Sequence, residues 1–282
     1  MKHFRQYLKP GRLAEAIDLR KDVGPKALYI AGGTTVVPFA SKGVDVLIDI
    51  TGLGLDGISD HGDVISIGGT TRLAGLLHPG LAAEVPVVYR AASVVGSPQL
   101  RNMATLGGTL AGVFLPSDIG IALLAMGASI YLNGDEERII SIDDLLNQGW
   151  LSGYDLITEV RIEKRRKHKG AGFSKFGRSK VDISLVNAAA AIEMSGGVTG
   201  SVRIAVGQTG SKPALLNGQA MGAGGRDMTR DLVGELAEKA AGLVKPKADA
   251  RASADYRKSL IGTMVGRALM EAAREAGVEF AD

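Results

Sequence analysis

The stretch Ala27-Leu-Tyr-Ile-Ala-Gly-Gly-Thr-Thr35 decides how the rest of this chain is read. Ala27 to Ile30 has the length and apolarity of a short buried strand, and Gly32-Gly33 ends it with two residues free to take positive φ. Successive backbone N–H groups in such a turn can converge on one point and form an anion-binding nest. Thr34 and Thr35 add hydroxyl donors, and without a Cβ nothing keeps a phosphate from the glycine backbone. Gln99-Leu-Arg-Asn-Met-Ala-Thr-Leu-Gly-Gly-Thr109 repeats the pattern. Two such loops point to a ligand with two phosphates, held from both sides. The competing reading is two ordinary Gly-Gly turns in a chain with 39 glycines.

Around these loops the chain alternates helices and strands. Leu13 to Arg20 reads as a short amphipathic helix behind Pro10-Gly11, and Val36 to Phe39 as the opening of another. Val44–Ile50 and Val64–Ile67 read as strands, residues 84–96 and Ile119–Ala128 as helices, and Ala128–Leu132 as a strand turned by Asn133-Gly134. Past residue 170, Val181–Met194 and Val202–Val206 read as strands, the latter with Val202, Ile204 and Val206 on one face. Two helices close the chain. Asp231–Val244 carries Leu232, Leu236, Ala240 and Leu243 on one stripe, and Ala254–Ala276 carries Tyr256, Leu260, Met264, Ala268 and Ala272. The basic run Arg161-Ile-Glu-Lys-Arg-Arg-Lys-His-Lys169 marks a boundary near 165–172. It lacks interleaved aromatics for base stacking and reads as a solvated hairpin tip.

Composition narrows the chemistry. The 282 residues exceed the usual size of one domain. A net charge of +3 is too small to imply a nucleic-acid partner. The absence of cysteine excludes disulfides, a catalytic thiol and thiolate-held clusters within this chain. His3, His61, His78 and His168 are scattered, so no metal site is expected. Neither a signal-peptide core nor an apolar run long enough to span a bilayer occurs, so a cytoplasmic protein is expected. Gly52-Leu-Gly-Leu-Asp-Gly57 matches G-x-G-x-x-G, but Ile58-Ser-Asp leads into a strand rather than the helix a dinucleotide fold requires, so it reads as a turn. Asp118, after Leu115-Pro-Ser117, reads as a helix N-cap, a role compatible with bonding a ligand hydroxyl. Lys175, Arg178 and Asp182 fall in one polar segment, Phe173–Asp182.

Taken together, these residues resemble the FAD-binding medium subunits of molybdenum hydroxylases, the group of carbon monoxide and xanthine dehydrogenases. The resemblance runs from Phe4-Arg-Gln-Tyr-Leu-Lys-Pro10 through Ala31–Thr35, Leu47-Ile-Asp-Ile50, Ile67-Gly-Gly-Thr-Thr71 and Gln99–Gly108 to Phe173-Ser-Lys175, Asp182 and Ala254-Asp-Tyr-Arg257. It implies an α+β chain with an FAD-binding fold of the vanillyl-alcohol-oxidase type over residues 1–168. Within it, two α/β subdomains divide near residue 56, and a C-terminal domain of antiparallel sheet and helices follows over 169–282. Carried over by residue, Ala31, Gly32, Gly33, Thr34 and Thr35, with Thr105, Leu106, Gly107, Gly108 and Thr109, would hold the ADP portion of FAD. Asp118, Ile157, Phe173 and Lys175 would lie on the flavin side. The resemblance departs at Thr35 and Thr109, where many relatives carry aspartate, serine or asparagine. No histidine lies in either glycine loop, so a non-covalent flavin is expected.

The implied function is electron relay without a catalytic residue of its own. A large partner subunit would carry the molybdenum cofactor and a small one the [2Fe-2S] clusters, in a heterotrimer or its dimer. Electrons would pass through FAD here to NAD or another acceptor. Two alternatives stay open: a self-sufficient flavin oxidase or dehydrogenase, and a flavin-free scaffold.

Overall fold

A computed structural model describes residues 4–39, 43–112, 117–148, 151, 154–179, 181–210 and 212–280. Met1 to His3, Leu115, Pro116 and Lys180, all used in the sequence reading, lie outside them. In order, the elements begin with β1 (Gln6–Leu8), α1 (Leu13–Val23), β2 (Ala27–Ile30), α2 (Val36–Phe39), β3 (Val46–Asp49), β4 (Ile58–Asp60) and β5 (Val64–Gly68). There follow α3 (Pro79–Glu84), α4 (Pro86–Ser93), α5 (Pro98–Met103), α6 (Leu106–Leu110), α7 (Asp118–Met126), β6 (Ser129–Asn133), β7 (Glu137–Ser141), α8 (Ile142–Gln148) and β8 (Leu156–Glu163). The chain ends with β9 (Lys169–Phe176), β10 (Val186–Ser195), β11 (Val198–Gly207), β12 (Ala214–Asn217), α9 (Arg230–Leu243) and α10 (Ala254–Glu275). It divides into two compact units: Met1–Leu76, Ser97–Val113 and Ser129–Arg161 form one, and Leu77–Gly96, Phe114–Ala128 and Ile162–Asp282 the other.

The first unit holds two sheets. One is parallel, in the order β1-β3-β2. Ala16 of α1 packs there against Ala27, Val46 and Ile48, so the amphipathic face of α1 closes a small core over the strand that leads into the first glycine pair. The other has the order β4-β5-β8-β6-β7. Gly52–Gly57 is a turn leading into β4, as its sequence suggested.

The second unit is built on an antiparallel sheet, β12-β11-β10-β9, with helices against it, as the resemblance implied. Val186, Ala188, Ala190 and Ile192 of β10, with Val202, Ile204 and Val206 of β11, face a core closed by α9 and α10. Ala189 and Ala205 alternate with them and are equally buried, because α7 also packs against these strands. A sheet covered on both faces carries apolar residues in succession rather than in alternation, as Val186 to Ile192 of β10 do, Asn187 excepted. Glycines bring α10 still closer to β9. A Cβ on Gly170 or on Gly172 would lie 2.1 Å from the carbonyl oxygen of Ala272 or of Ala268.

Three expectations change. The helix expected over residues 84–96 is α4, shortened to Pro86–Ser93: the Pro86 ring keeps Val85, at φ −139°, outside the helical region, so the helix starts at the proline. The strand expected from Val181 starts at Val186, since Asp182 is tied back by Arg178 and its carbonyl by Lys175. The basic run is no hairpin tip: it joins β8 of one sheet to β9 of another. Among the described residues no helix is long and apolar enough to cross a membrane.

Candidate functional site: a glycine cradle

The loop after β2 is an open donor array. Gly33 alone takes a left-handed backbone, φ +68°. Gly32 does not, contrary to expectation, and is glycine for another reason: a Cβ there would lie 1.9 Å from the Met103 carbonyl oxygen. The loop thus rests on the backbone that ends α5. Among the described residues the N–H groups of Gly32, Gly33, Thr34 and Thr35 and the two threonine hydroxyls have no hydrogen-bond partner. Four consecutive uncommitted N–H groups suit an anion.

The second loop differs from the nest expected of it. Thr105 caps α6, and all four N–H groups of that first turn are used internally. Leu106 N–H donates to Thr71 O at 2.9 Å and Gly107 N–H to Gly69 O at 2.7 Å. Gly108 N–H donates to Thr105 Oγ1 at 3.2 Å, and Thr109 N–H to Thr105 O at 2.9 Å. What this loop offers a ligand is surface shape and the Thr109 hydroxyl, not backbone donors. Leu106 is fully buried.

A third glycine pair, Gly68-Gly69, holds the others in place. Gly69 N–H donates to Thr158 O at 2.8 Å, and a Cβ on Gly69 would lie 2.0 Å from the Ile157 carbonyl oxygen. A Cβ on Gly107 would in turn lie 2.7 Å from Gly69 O. Gly68 packs equally closely on Leu55, and Thr71 Oγ1 both accepts from Gly57 N–H at 2.9 Å and donates to Gly57 O at 3.1 Å. The G-x-G-x-x-G turn therefore serves this buttress. Among the described residues the buried Thr70 hydroxyl beside Gly69 has no hydrogen-bond partner.

These segments line a cavity of about 540 Å³, within the range usual for ligand pockets. Of the candidate residues, Ala31 to Thr35, Thr105, Gly107, Gly108, Thr109 and Ile157 border it. So do Arg20, Tyr29, Gly69 and Asp155, which were not among them. Gly69 had a legible signal, a second occurrence of Gly-Gly-Thr-Thr; Arg20 had none, being one cation on an amphipathic helix. Tyr29 Oη donates to Tyr154 O at 3.1 Å. Burial pushes that hydroxyl's pKa up to about 12, the Arg20 charge opposing the shift and Asp155 adding to it. Asp155 is paired with Arg138.

Asp118, Phe173 and Lys175 belong to the second unit. Asp118 is not the cap of α7: Ser117 is, accepting from Gly120 N–H at 3.1 Å. Instead the Asp118 carboxylate is a buried hub. It accepts from Lys175 Nζ at 3.1 Å, Ser184 Oγ at 2.5 Å and Asn187 Nδ2 at 2.7 Å. Lys175 Nζ also donates to the carbonyls of Val94 at 3.0 Å and Asp182 at 3.1 Å, so its charge is fixed by three groups. Phe173 lies on the same strand, its N–H donating to Glu271 at 2.7 Å. Among the described residues no group of three or more His, Cys, Asp or Glu is placed to hold a metal ion.

Residues 2–163 match the family described as the FAD binding domain in molybdopterin dehydrogenase, and residues 171–272 that described as the CO dehydrogenase flavoprotein C-terminal domain. The chain is 26% identical to the carbon monoxide dehydrogenase medium chain of Afipia carboxidovorans, over 96% of this chain and 97% of that one. It is 29% identical to subunit alpha of the 6-hydroxypseudooxynicotine dehydrogenase complex of Paenarthrobacter nicotinovorans, over 96% and 95% of the two chains. A solved structure of carbon monoxide dehydrogenase from Hydrogenophaga pseudoflava, lacking the Mo-pyranopterin moiety of its cofactor, matches with a TM-score of 0.87 at 27% identity. That match covers 97% of this chain and 98% of the other.

Proposed function

Because the chain belongs to the family of FAD-binding medium subunits of molybdenum hydroxylases, we propose that it relays electrons through a non-covalent FAD between partner subunits and a terminal acceptor. It is an oxidoreductase subunit, and the finer assignment concerns which residues do what. The observation that carries it is the run of uncommitted N–H groups from Gly32 to Thr35, bordering a cavity whose glycines admit a ligand to the backbone.

In this reading Ala31 to Thr35 bind the diphosphate, while Thr105 to Thr109 and Ile157 shape the wall beside it. By the resemblance, Asp118, Phe173 and Lys175 serve the flavin side. Asp118 does so by fixing the Lys175 ammonium, since its own oxygens are already engaged. The division into residues 1–168 and 169–282 belongs to the same reading. Bound FAD would accept electrons from [2Fe-2S] clusters on a small subunit, supplied by a molybdenum cofactor on a large one, and pass them to NAD or another acceptor.

The test is to load the purified chain with FAD and add it to its reduced small subunit, following the visible flavin absorbance. Bleaching on mixing, with no turnover of aldehydes or alcohols by the loaded chain alone, is expected. Turnover by the chain alone would instead identify a self-sufficient oxidase or dehydrogenase.

A further inference from the structure

The donors so far assigned to the cavity are neutral, whereas a diphosphate carries about two negative charges at neutral pH. Among the described residues lining the cavity Arg20 is the one cation and Asp155 the one carboxylate. Arg138 pairs with Asp155, which removes its charge from the balance. Arg20 has no carboxylate within ion-pair distance among the described residues. The uncompensated charge of the cavity is therefore positive and sits on one side chain.

That side chain is also held in place. Arg20 lies in the last turn of α1, where one guanidinium nitrogen donates to the carbonyl of Gly24, the C-cap residue. The guanidinium carbon lies 5.4 Å from the centroid of the Tyr154 ring, a cation–π distance. A guanidinium has five N–H donors, so those not engaged by Gly24 remain for a ligand. An arginine with no acid to neutralise, stacked on an aromatic at the wall of a cavity, is arranged to meet an anion.

We propose that Arg20 contacts the diphosphate of the bound FAD and supplies the formal counter-charge that the glycine loop lacks. This rests on the assignment of FAD to this cavity. Two kinds of contact then divide the work. The Gly32–Thr35 N–H groups orient the phosphates, and Arg20 offsets their charge and makes affinity sensitive to ionic strength.

The test titrates FAD into the unaltered chain, Arg20→Gln and Arg20→Lys at several salt concentrations, with thermal melting of each apo chain as a folding control. Arg20→Gln is expected to weaken binding roughly 10- to 100-fold and to flatten its salt dependence, with little change in melting. Arg20→Lys, keeping the charge but losing the planar fork, should fall between and retain the salt dependence. FAD binding by Arg20→Gln with unchanged affinity overturns the proposal. Weakened binding with an unchanged salt dependence also overturns it, because that marks a merely structural role. If the unaltered chain fails to bind FAD, the flavin assignment itself fails, a different result from either.

Discussion

Gly69→Ala is expected to weaken FAD binding by roughly 10- to 100-fold and to lower the melting temperature by several degrees. The reason is steric and falls on backbone. A Cβ at this position would lie 2.0 Å from the Ile157 carbonyl oxygen, and no rotamer change can relieve a clash with main chain. Gly69 cannot retreat, because its N–H donates to Thr158 and its carbonyl accepts from Gly107. β8 or α6 has to move, and Ile157 and Gly107 both border the cavity. Overpacking of a fixed contact costs about 1–3 kcal/mol, and each 1.4 kcal/mol is about a tenfold change in affinity. Flavin fluorescence titration with parallel melting measures both effects. Gly234→Ala is the control. It lies within α9, nothing is within 4 Å of a Cβ built there, and it should leave FAD binding unchanged while raising stability slightly.

Lys175→Met should be among the most destabilising single changes in the second unit, by about 3–5 kcal/mol. It leaves the Asp118 carboxylate buried with only the neutral donors of Ser184 and Asn187. Their side chains expose 11% for Lys175 and 8% for Asp118, so water cannot replace the lost ammonium. The carbonyls of Val94 and Asp182 lose their donor as well. Adding Asp118→Asn removes the stranded charge and keeps an oxygen for Ser184 and Asn187, so the double variant should recover part of the loss. Urea denaturation of the two single variants and the double one gives the coupling directly. Equal stability of Lys175→Met and the parent would show that the pair contributes nothing and that Asp118 is not the hub described.

The legible parts of the molecule were those set by local pattern. The first loop declared itself because strand, paired glycine and paired threonine are contiguous. α9 and α10 followed from stripes such as Leu232, Leu236 and Ala240, although Tyr256, taken for part of the α10 stripe, stays largely exposed and meets Phe176 edge-on. What escaped depended on partners distant in the chain. Gly32 is glycine because of Met103, Gly69 because of Ile157, and Gly170 and Gly172 because of α10. The second loop looked equivalent to the first, but Thr71 and Gly69 take two of its four N–H groups, and Thr105 the others. No spacing within 99–109 carries that information. Asp118 looked like a cap because it opens a helix; its neighbour Ser117 does that work, while Lys175 and Asn187 claim the carboxylate from other strands.

The central claim is that this chain carries a non-covalent flavin of its own. Its most direct test is the visible spectrum of the purified chain after incubation with FAD and desalting, repeated on the supernatant after acid precipitation. A flavin spectrum in the desalted protein, released near one equivalent per chain into the supernatant, is the expected result. A colourless protein would contradict the claim, leaving either a site completed only by partner subunits or a scaffold without flavin.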